Sequence, residues 1–363
     1  MTVLWCSISA HGFGHAAQLM PILNELGEAV DDLHVILRTK VPADFFQRHL
    51  QKVSWELQDV QQDVGCVQRG PLDIDVARTW EAYTKYHTDW NSKVEKEAQA
   101  IRLSKASLVI SNISPLAIAG AAQAKCPVVG VASLSWDRAL EPYVQADVPG
   151  HRVILETIRN SYALADSLIR LHPGIEMPAF RSMVDVGPSA PLKKPNGYDL
   201  RKFLEVGEQE LIVLIAFGGV PLNRLPLEQM AAMAGFHFLV SDLPSSVSYA
   251  RVHRVENLAM PFGEISQQVD IIMTKPGYGT VIAAVQDETA LVYVRRKNFI
   301  DEQSLVDYTH RHGRGMELSR DDFESGNWEA TLREVLTVEF PSEPPPSPGT
   351  GDVVRQLKTY LAC

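Results

Sequence analysis

The sequence holds only four cysteines in 363 residues, Cys6, Cys66, Cys126 and Cys363, and they stand far apart. With no Cys-x-x-Cys pair they exclude a disulfide-stapled scaffold, and they predict reduced thiols in a cytoplasmic protein. No His or Cys pair has metal-ligand spacing, so no metal is expected. Long apolar runs are missing too, and nothing approaches the roughly 20 residues of a membrane-crossing helix. The first residues lack a basic stretch, and Thr2–Ser9 is too short an apolar segment for a secretory leader. Net positive charge is absent: the formal charge is −10 and no Lys/Arg-dense run offsets it. That excludes a partner bound chiefly through nucleic-acid phosphates. Two phosphate-binding signatures are also lacking. There is no GxxxxGK[ST], and the first glycine pair, Gly12 and Gly14, has no third glycine to make GxGxxG.

What remains is an ordinary globular composition, 45% hydrophobic, 21% charged and 8% aromatic. The length predicts two domains, or one large one, with ample core. Short apolar runs alternate with helical periodicity in both halves. In the first half, strands are expected at Thr2–Ser9, Leu33–Leu37, Trp55–Leu57, Leu108–Ser111, Val128–Ala132 and Ser167–Arg170. Helices are expected at Ala16–Leu26, Ala43–Leu50, Trp80–Leu103 (one long helix), Leu116–Ala124 and His151–Ala165, with a polar-aromatic loop at Ser133–Asp137. Pro173–Pro195 is rich in Pro and Gly without a period, which places a domain boundary near Pro188–Pro195. The second half repeats the plan from Leu211–Ala216 onward. It ends in the Pro-rich linker Pro341–Gly349 and a helix at Asp352–Leu361.

Three glycine loops stand at strand ends. Ala10-His11-Gly12-Phe13-Gly14-His15 follows the first strand, and Phe217-Gly218-Gly219 follows Leu211–Ala216. Thr274–Gly279 joins the strand Ile271–Met273 to a helix at Thr280–Gln286, ahead of the strand Leu291–Val294. Strand, glycine loop, helix, strand puts the loop at the C-terminal edge of a parallel sheet, where ligands of open α/β sheets bind. A helix N-terminus there offers free N–H groups and a positive dipole end to an anion such as a diphosphate. Arg295, Arg296 and Asp301-Glu302-Gln303 follow the next strand at the same edge, one arginine expected to face the cleft and the other solvent.

Several stretches together resemble the GT-B glycosyltransferases that use nucleotide sugars. They are HGFGHA at His11–Ala16, SLSWD at Ser133–Asp137, LIRL with MPAFR at Leu168–Arg181, FGG at Phe217–Gly219, KPGYGTV at Lys275–Val281, and VYVRR with FIDEQ at Val292–Gln303. They run in order from Thr2 to about Phe323 and look most like the glycosyltransferase-like N-terminal half of plant L-arabinokinases. More distantly the chain is similar to the lipid II-forming transferase and to plant UDP-glycosyltransferases. No counterpart of the sugar-kinase half follows Cys363, so kinase activity is not expected to carry over.

The resemblance implies two Rossmann-like domains facing across a cleft: residues 1–190 for the acceptor, residues 191–345 for the donor, and residues 346–363 as a helix crossing back to the first domain. It implies an inverting, metal-independent transfer of a sugar from a nucleotide diphosphate, of UDP type, to a hydroxyl acceptor, with no cofactor. On that likeness His15 is the general base and Asn112 its partner. Gly14, Gly218, Gly219, Lys275, Gly277, Tyr278, Gly279, Thr280, Arg295, Glu302 and Gln303 bind the donor. His11, Phe13, Trp136 and Asp137 line the acceptor side. Three positions depart from the pattern. Asn112 stands where many relatives have Asp, and Ala283 where they have a ribose-binding Glu. Asp287-Glu288-Thr289-Ala290 replaces a small-Gly-x-Pro run. Two other readings stay open, a catalytically silent GT-B-like binding or scaffold protein and a nucleotide-sugar epimerase. Peripheral contact with a membrane is open as well.

Overall fold

The structure is a computed structural model; it describes every residue except 191–196, 219–221, 223–224, 242, 244–248, 259, 261, 297 and 362–363. The first sheet has seven strands: β1 Thr2–Ile8, β2 Leu33–Thr39, β3 Ser54–Asp59, β4 Leu108–Asn112, β5 Val128–Ala132, β6 Ser167–Leu171 and β7 Met183–Val186. The second has six: β8 Leu211–Ala216, β9 Phe236–Val240, β10 Val252–Arg254, β11 Ile271–Thr274, β12 Ala290–Tyr293 and β13 Gly315–Glu317. Spatial orders are β3-β2-β1-β4-β5-β6-β7 and β10-β9-β8-β11-β12-β13. All pairs within both sheets are parallel. Helices cover both faces of each, which is why strands such as Leu108–Asn112 and Val128–Ala132 are buried at every position and read as unbroken apolar runs.

Three expectations about elements are corrected. Trp80–Leu103 is not one helix but two, Val76–His87 and Trp90–Ser104. The first starts on Asp75, whose carboxylate accepts from the N–H of Arg78. It ends where the Thr88 hydroxyl bonds back to the carbonyl of Thr84. Thr and Asp offer the backbone such local partners and so break helices. Ser133–Asp137 is not all loop, because Trp136–Leu140 is helical. Ser167–Leu171 is not the last strand of the first sheet, because β7 pairs with it from Leu168 opposite Met183 to Leu171 opposite Val186.

The two sheets are joined by shared packing. One apolar cluster runs from the Gly14–Ala29 helix through Ala190 to Tyr278, Val281 and the helix Thr350–Leu361. That last helix lies against Gly14–Ala29 and buries Val353, Val354 and Leu357. The segments leading to and from the second sheet cross at Gly187 and Gly349, where the N–H of Gly349 donates to the carbonyl of Pro188 at 2.9 Å. A side chain on either glycine would collide with the other strand's backbone. A strap from Gly65 to Asp75, held by a Gln68–Ile74 bridge, also reaches the second domain. Leu72 packs into the cluster of Phe217, Val292 and Phe323. Arg320 donates to both carboxylate oxygens of Asp73, at 2.8 and 3.0 Å, and to the carbonyl of Leu72. The Tyr143 hydroxyl donates to the carbonyl of Asn298 at 2.6 Å.

Candidate functional site

Each strand order reverses direction once, between β1 and β4 and between β8 and β11, and crevices in open α/β sheets open at those points. Register brings the loops together there. Ile8 pairs with Asn112, so the loop carrying His11 and His15 leaves the sheet beside the end of β4. Thr274 pairs with Ala216, and its hydroxyl donates to that residue's carbonyl at 2.5 Å, so Phe217-Gly218 and Lys275-Pro276 leave side by side. Gly12 and Gly218 both have left-handed φ, +72° and +70°, a backbone that L side chains avoid. A methyl placed on Gly12 would stand 3.8 Å from the carbonyl oxygen of Gly218. The loops of the two domains therefore close directly on one another.

Two helices begin at this junction without a side-chain cap. Gly14–Ala29 starts after Phe13 and Tyr278–Gln286 after Gly277. Pro115–Ala124, which also follows β4, is instead capped by the Ser114 hydroxyl. An uncapped N-terminus keeps N–H donors and a positive dipole end available to an anion. Methyls on Gly14 or Gly279 would meet nothing within 4 Å, so the backbone there is open to close approach.

His15 sits in the first turn of its helix and is 8% exposed. Its Nδ1 is 2.6 Å from Asn112 Oδ1. Because that oxygen only accepts, Nδ1 carries a proton, and in the neutral ring Nε2 is then left with its lone pair. Burial lowers the pKa of His15, while the Asn112 bond and the Asp301 charge raise it. His11 is pushed down to about 3 by burial and by the charges of His15, Lys275 and Arg296. Trp136 lies against both rings, with centroids 5.3 Å from each. Its indole N–H donates to Asp63 at 2.9 Å, and the Ser9 hydroxyl donates to the other oxygen of that carboxylate. Burial pushes Asp63 up to about 6 against those two bonds. From the second domain, Lys275 is lowered to about 8 by burial and by Arg296. A Cβ on Gly218 would lie 3.4 Å from the Lys275 side chain, which therefore borders the loop junction.

The structure brings His11, His15, Asn112, Phe13, Trp136, Gly14, Gly218, Lys275, Gly277, Gly279 and Thr280 to this edge. Phe13 is 42% exposed and stacked on Phe45. Gly219 lies outside the described residues. Four expectations change. Tyr278 does not turn its ring toward the cleft. It is buried, and its hydroxyl donates to the carbonyl of His172 and accepts from the N–H of Ser189. Asp137 does not line the acceptor side. It is fully buried and accepts from the Ser135 hydroxyl and from Arg159. The cleft-facing arginine is Arg296 and not Arg295. Arg296 donates to the carbonyl of Pro276, to Glu302 and to Asp301. Arg295 lies at the surface with Gln303. Glu302 faces inward but is committed to Arg296, and Gln303 is exposed and bonded to Arg295 and Asp307.

Sequence reading missed Gln18, Asp63 and the inward role of Asp301. Gln18 was open to detection, because a polar residue three after His15 shares its face in a helix otherwise apolar there. Asp63, in an irregular loop, carries no comparable signal. Among the described residues no three His, Cys, Asp or Glu side chains are grouped so that they could hold a metal ion.

No protein-family model matches the chain. Over 338 residues it is 29% identical to L-arabinokinase of Arabidopsis thaliana, covering 91% of this chain and 32% of that protein. The chain thus spans about a third of the length of this relative. Among solved structures it is similar to the glycotransferase of kitacinnamycin, with TM-score 0.65 at 13% identity over 99% of this chain and 94% of that one. Arabidopsis thaliana UGT89C1 complexed with quercetin gives 0.64 at 14%, with 99% of each chain covered. Phytolacca americana UGT2 complexed with UDP-2fluoro-glucose and pterostilbene gives 0.59 at 12%, over the whole of both chains. These likenesses establish the GT-B fold.

Proposed function

We propose that the chain transfers a sugar from a nucleotide diphosphate to a hydroxyl acceptor, with inversion at the anomeric carbon and without a metal. One observation carries the reading: His15, its Nδ1 on Asn112 Oδ1, in the first domain and an uncapped helix N-terminus beside Lys275 in the second, at loops that touch. In this scheme the acceptor oxygen bonds to the anomeric carbon while the bond from that carbon to the diphosphate oxygen breaks. The acceptor proton passes to His15 Nε2. A neutral imidazole is the competent form, and burial keeps His15 neutral below the ordinary histidine range. Asn112 holds the ring but brings no charge to the imidazolium; Asp301, across the cleft, supplies a negative charge in its place. The leaving diphosphate meets the N–H groups at the start of Tyr278–Gln286, fixed by the helix before reaction, and the Lys275 ammonium. UGT2, which shares the fold, is complexed with UDP-2fluoro-glucose, which supports a UDP-type donor.

A second reading, binding without turnover, is supported by Glu302 and Gln303. Both are occupied by arginines of their own chain. A thermal-shift screen of nucleotide sugars followed by a hydrolysis assay separates the two. At 100 times its dissociation constant a ligand stabilises by about 2.7 kcal/mol. Transfer predicts a hit that is turned over and whose turnover is lost in His15→Ala. A hit that is never turned over selects the binding reading, and no hit from any nucleotide removes both.

A further inference from the structure

A buried carboxylate is costly unless donors satisfy it. Asp63 is buried in the loop after β3. Among the described residues its side chain meets two neutral donors, the Ser9 hydroxyl and the Trp136 indole, and no cation. Both donors belong to segments that line the candidate site.

We propose that Asp63 is the positioning residue that holds the Trp136 ring against His11 and His15 and so sets the wall of the acceptor side. An indole N–H only donates and an ionised carboxylate only accepts. The 2.9 Å bond from Trp136 Nε1 to Asp63 Oδ2 therefore has one possible sense, whichever way the Ser9 hydroxyl turns. Oδ1 accepts from that hydroxyl at 2.9 Å. Ser9 follows β1, and its N–H donates to the carbonyl of Asn112 at 2.8 Å. Asp63 thus joins the strand end that leads to His11 with the helix that begins at Trp136.

Each end of this link has its own anchor. Ser114 Oγ donates to the carbonyl of Gln62 at 2.6 Å, and the Gln61 side chain donates to that of Asp63 at 3.0 Å. The Trp136 backbone N–H donates to the Tyr162 hydroxyl at 3.2 Å, and that hydroxyl donates to the carbonyl of Ile113 at 3.0 Å. With the main chain held on both sides, the carboxylate acts on the direction of the indole. The ring meets His11 edge-on at 80° and lies at 50° to His15. His15 is held by Asn112, itself bonded to Gln18. A turn of the indole therefore changes what stands beside the imidazole without releasing it.

The role in transfer rests on the reading above, whereas the placement is a property of the free chain and is tested without substrate, so the two can fail separately. The experiment is NMR of the indole N–H and histidine ring signals in the full chain, at a pH above the Asp63 value of about 6. It compares the wild type with Asp63→Asn and Asp63→Leu. In the wild type the Trp136 indole proton should exchange slowly, with nuclear Overhauser contacts from its ring to His11 and His15. Asp63→Asn should keep this pattern, because the amide oxygen accepts the indole N–H and the Ser9 hydroxyl turns to accept from the amide. Asp63→Leu has similar volume and no acceptor. There the indole proton should exchange about ten- to a hundredfold faster, the factor of a hydrogen bond to a charged group. The His11 and His15 ring signals should move with it as the indole turns. A fast-exchanging indole in the wild type overturns the proposal, and so do histidine signals that stay in place in Asp63→Leu. If Asp63→Leu does not fold, Asp63→Asn decides: a protected indole with unmoved histidine signals supports the proposal, and an exposed one overturns it.

Discussion

At the scale of single residues, the site carries groups whose titration is displaced in opposite senses. His11 protonates at about 3 in the folded chain against an ordinary 6.5. Between those values the unfolded chain binds the proton and the folded chain does not, so stability is lost as pH falls through that window. Asp63 is raised from 3.8 to about 6. Here the folded chain holds the proton, and stability is lost as pH rises from 3.8 to 6. His11→Gln should therefore flatten the loss of melting temperature on acidification below pH 6.5, and an unaltered slope would contradict the placement of His11. Lys275 offers a second test. A bound diphosphate favours its ammonium form, so affinity for a nucleoside diphosphate should fall as pH rises through about 8. Lys275→Met should bind more weakly by about 1.5–3 kcal/mol, the range for a hydrogen bond to a charged group, and lose that pH dependence. Titration calorimetry at three pH values measures both. Much of this site was legible beforehand, since glycines at strand ends and a histidine at a helix start follow from spacing. Which arginine turned inward was not legible, because a loop without periodicity sets no direction for adjacent side chains.

At the scale of elements, the strap from Gly65 to Asp75 shows what local pattern cannot foresee. Its residues pair with no neighbouring strand of the sheet; it is held by Leu72 in the second domain's core and by the Arg320–Asp73 pair. The partners are 247 positions apart in the chain. β7 was missed for a related reason. Met183–Val186 is short, buried only at Val186 and polar at Asp185, and its pairing with β6 is what makes it a strand. By contrast β1, β4, β5, β8 and β11 are continuous apolar runs buried on both faces, and their sequences announce them. The Arg320–Asp73 pair is partly exposed, so it stabilises the fold by no more than about 1 kcal/mol. Arg320→Leu should leave the melting temperature nearly unchanged while hydrogen exchange at residues 65–75 quickens several-fold. Unchanged exchange there would show that Leu72 alone holds the strap.

At the scale of the whole molecule, two parallel sheets share one apolar cluster and meet at loops that both end on uncapped helices. The crossing of Gly187 and Gly349 leaves no room for a side chain. Gly187→Ala should thus force the crossover apart and cost more than the 0.5–3 kcal/mol of an average substitution, read as a fall in melting temperature. The two-domain plan was legible because strand and helix alternate twice. The route by which the last helix returns to Gly14–Ala29 came with the resemblance, since its Pro-rich approach has no pattern of its own. The central claim is that one anion is held between the two lobes. Its most direct test is an amide NMR titration with UDP in the full chain. The account predicts that the N–H signals of Gly277–Thr280 and of Gly14 and His15 shift together with one dissociation constant, and that Lys275→Glu abolishes both sets. If the nucleotide binds while only one lobe's signals move, or moves neither set, the shared site does not exist.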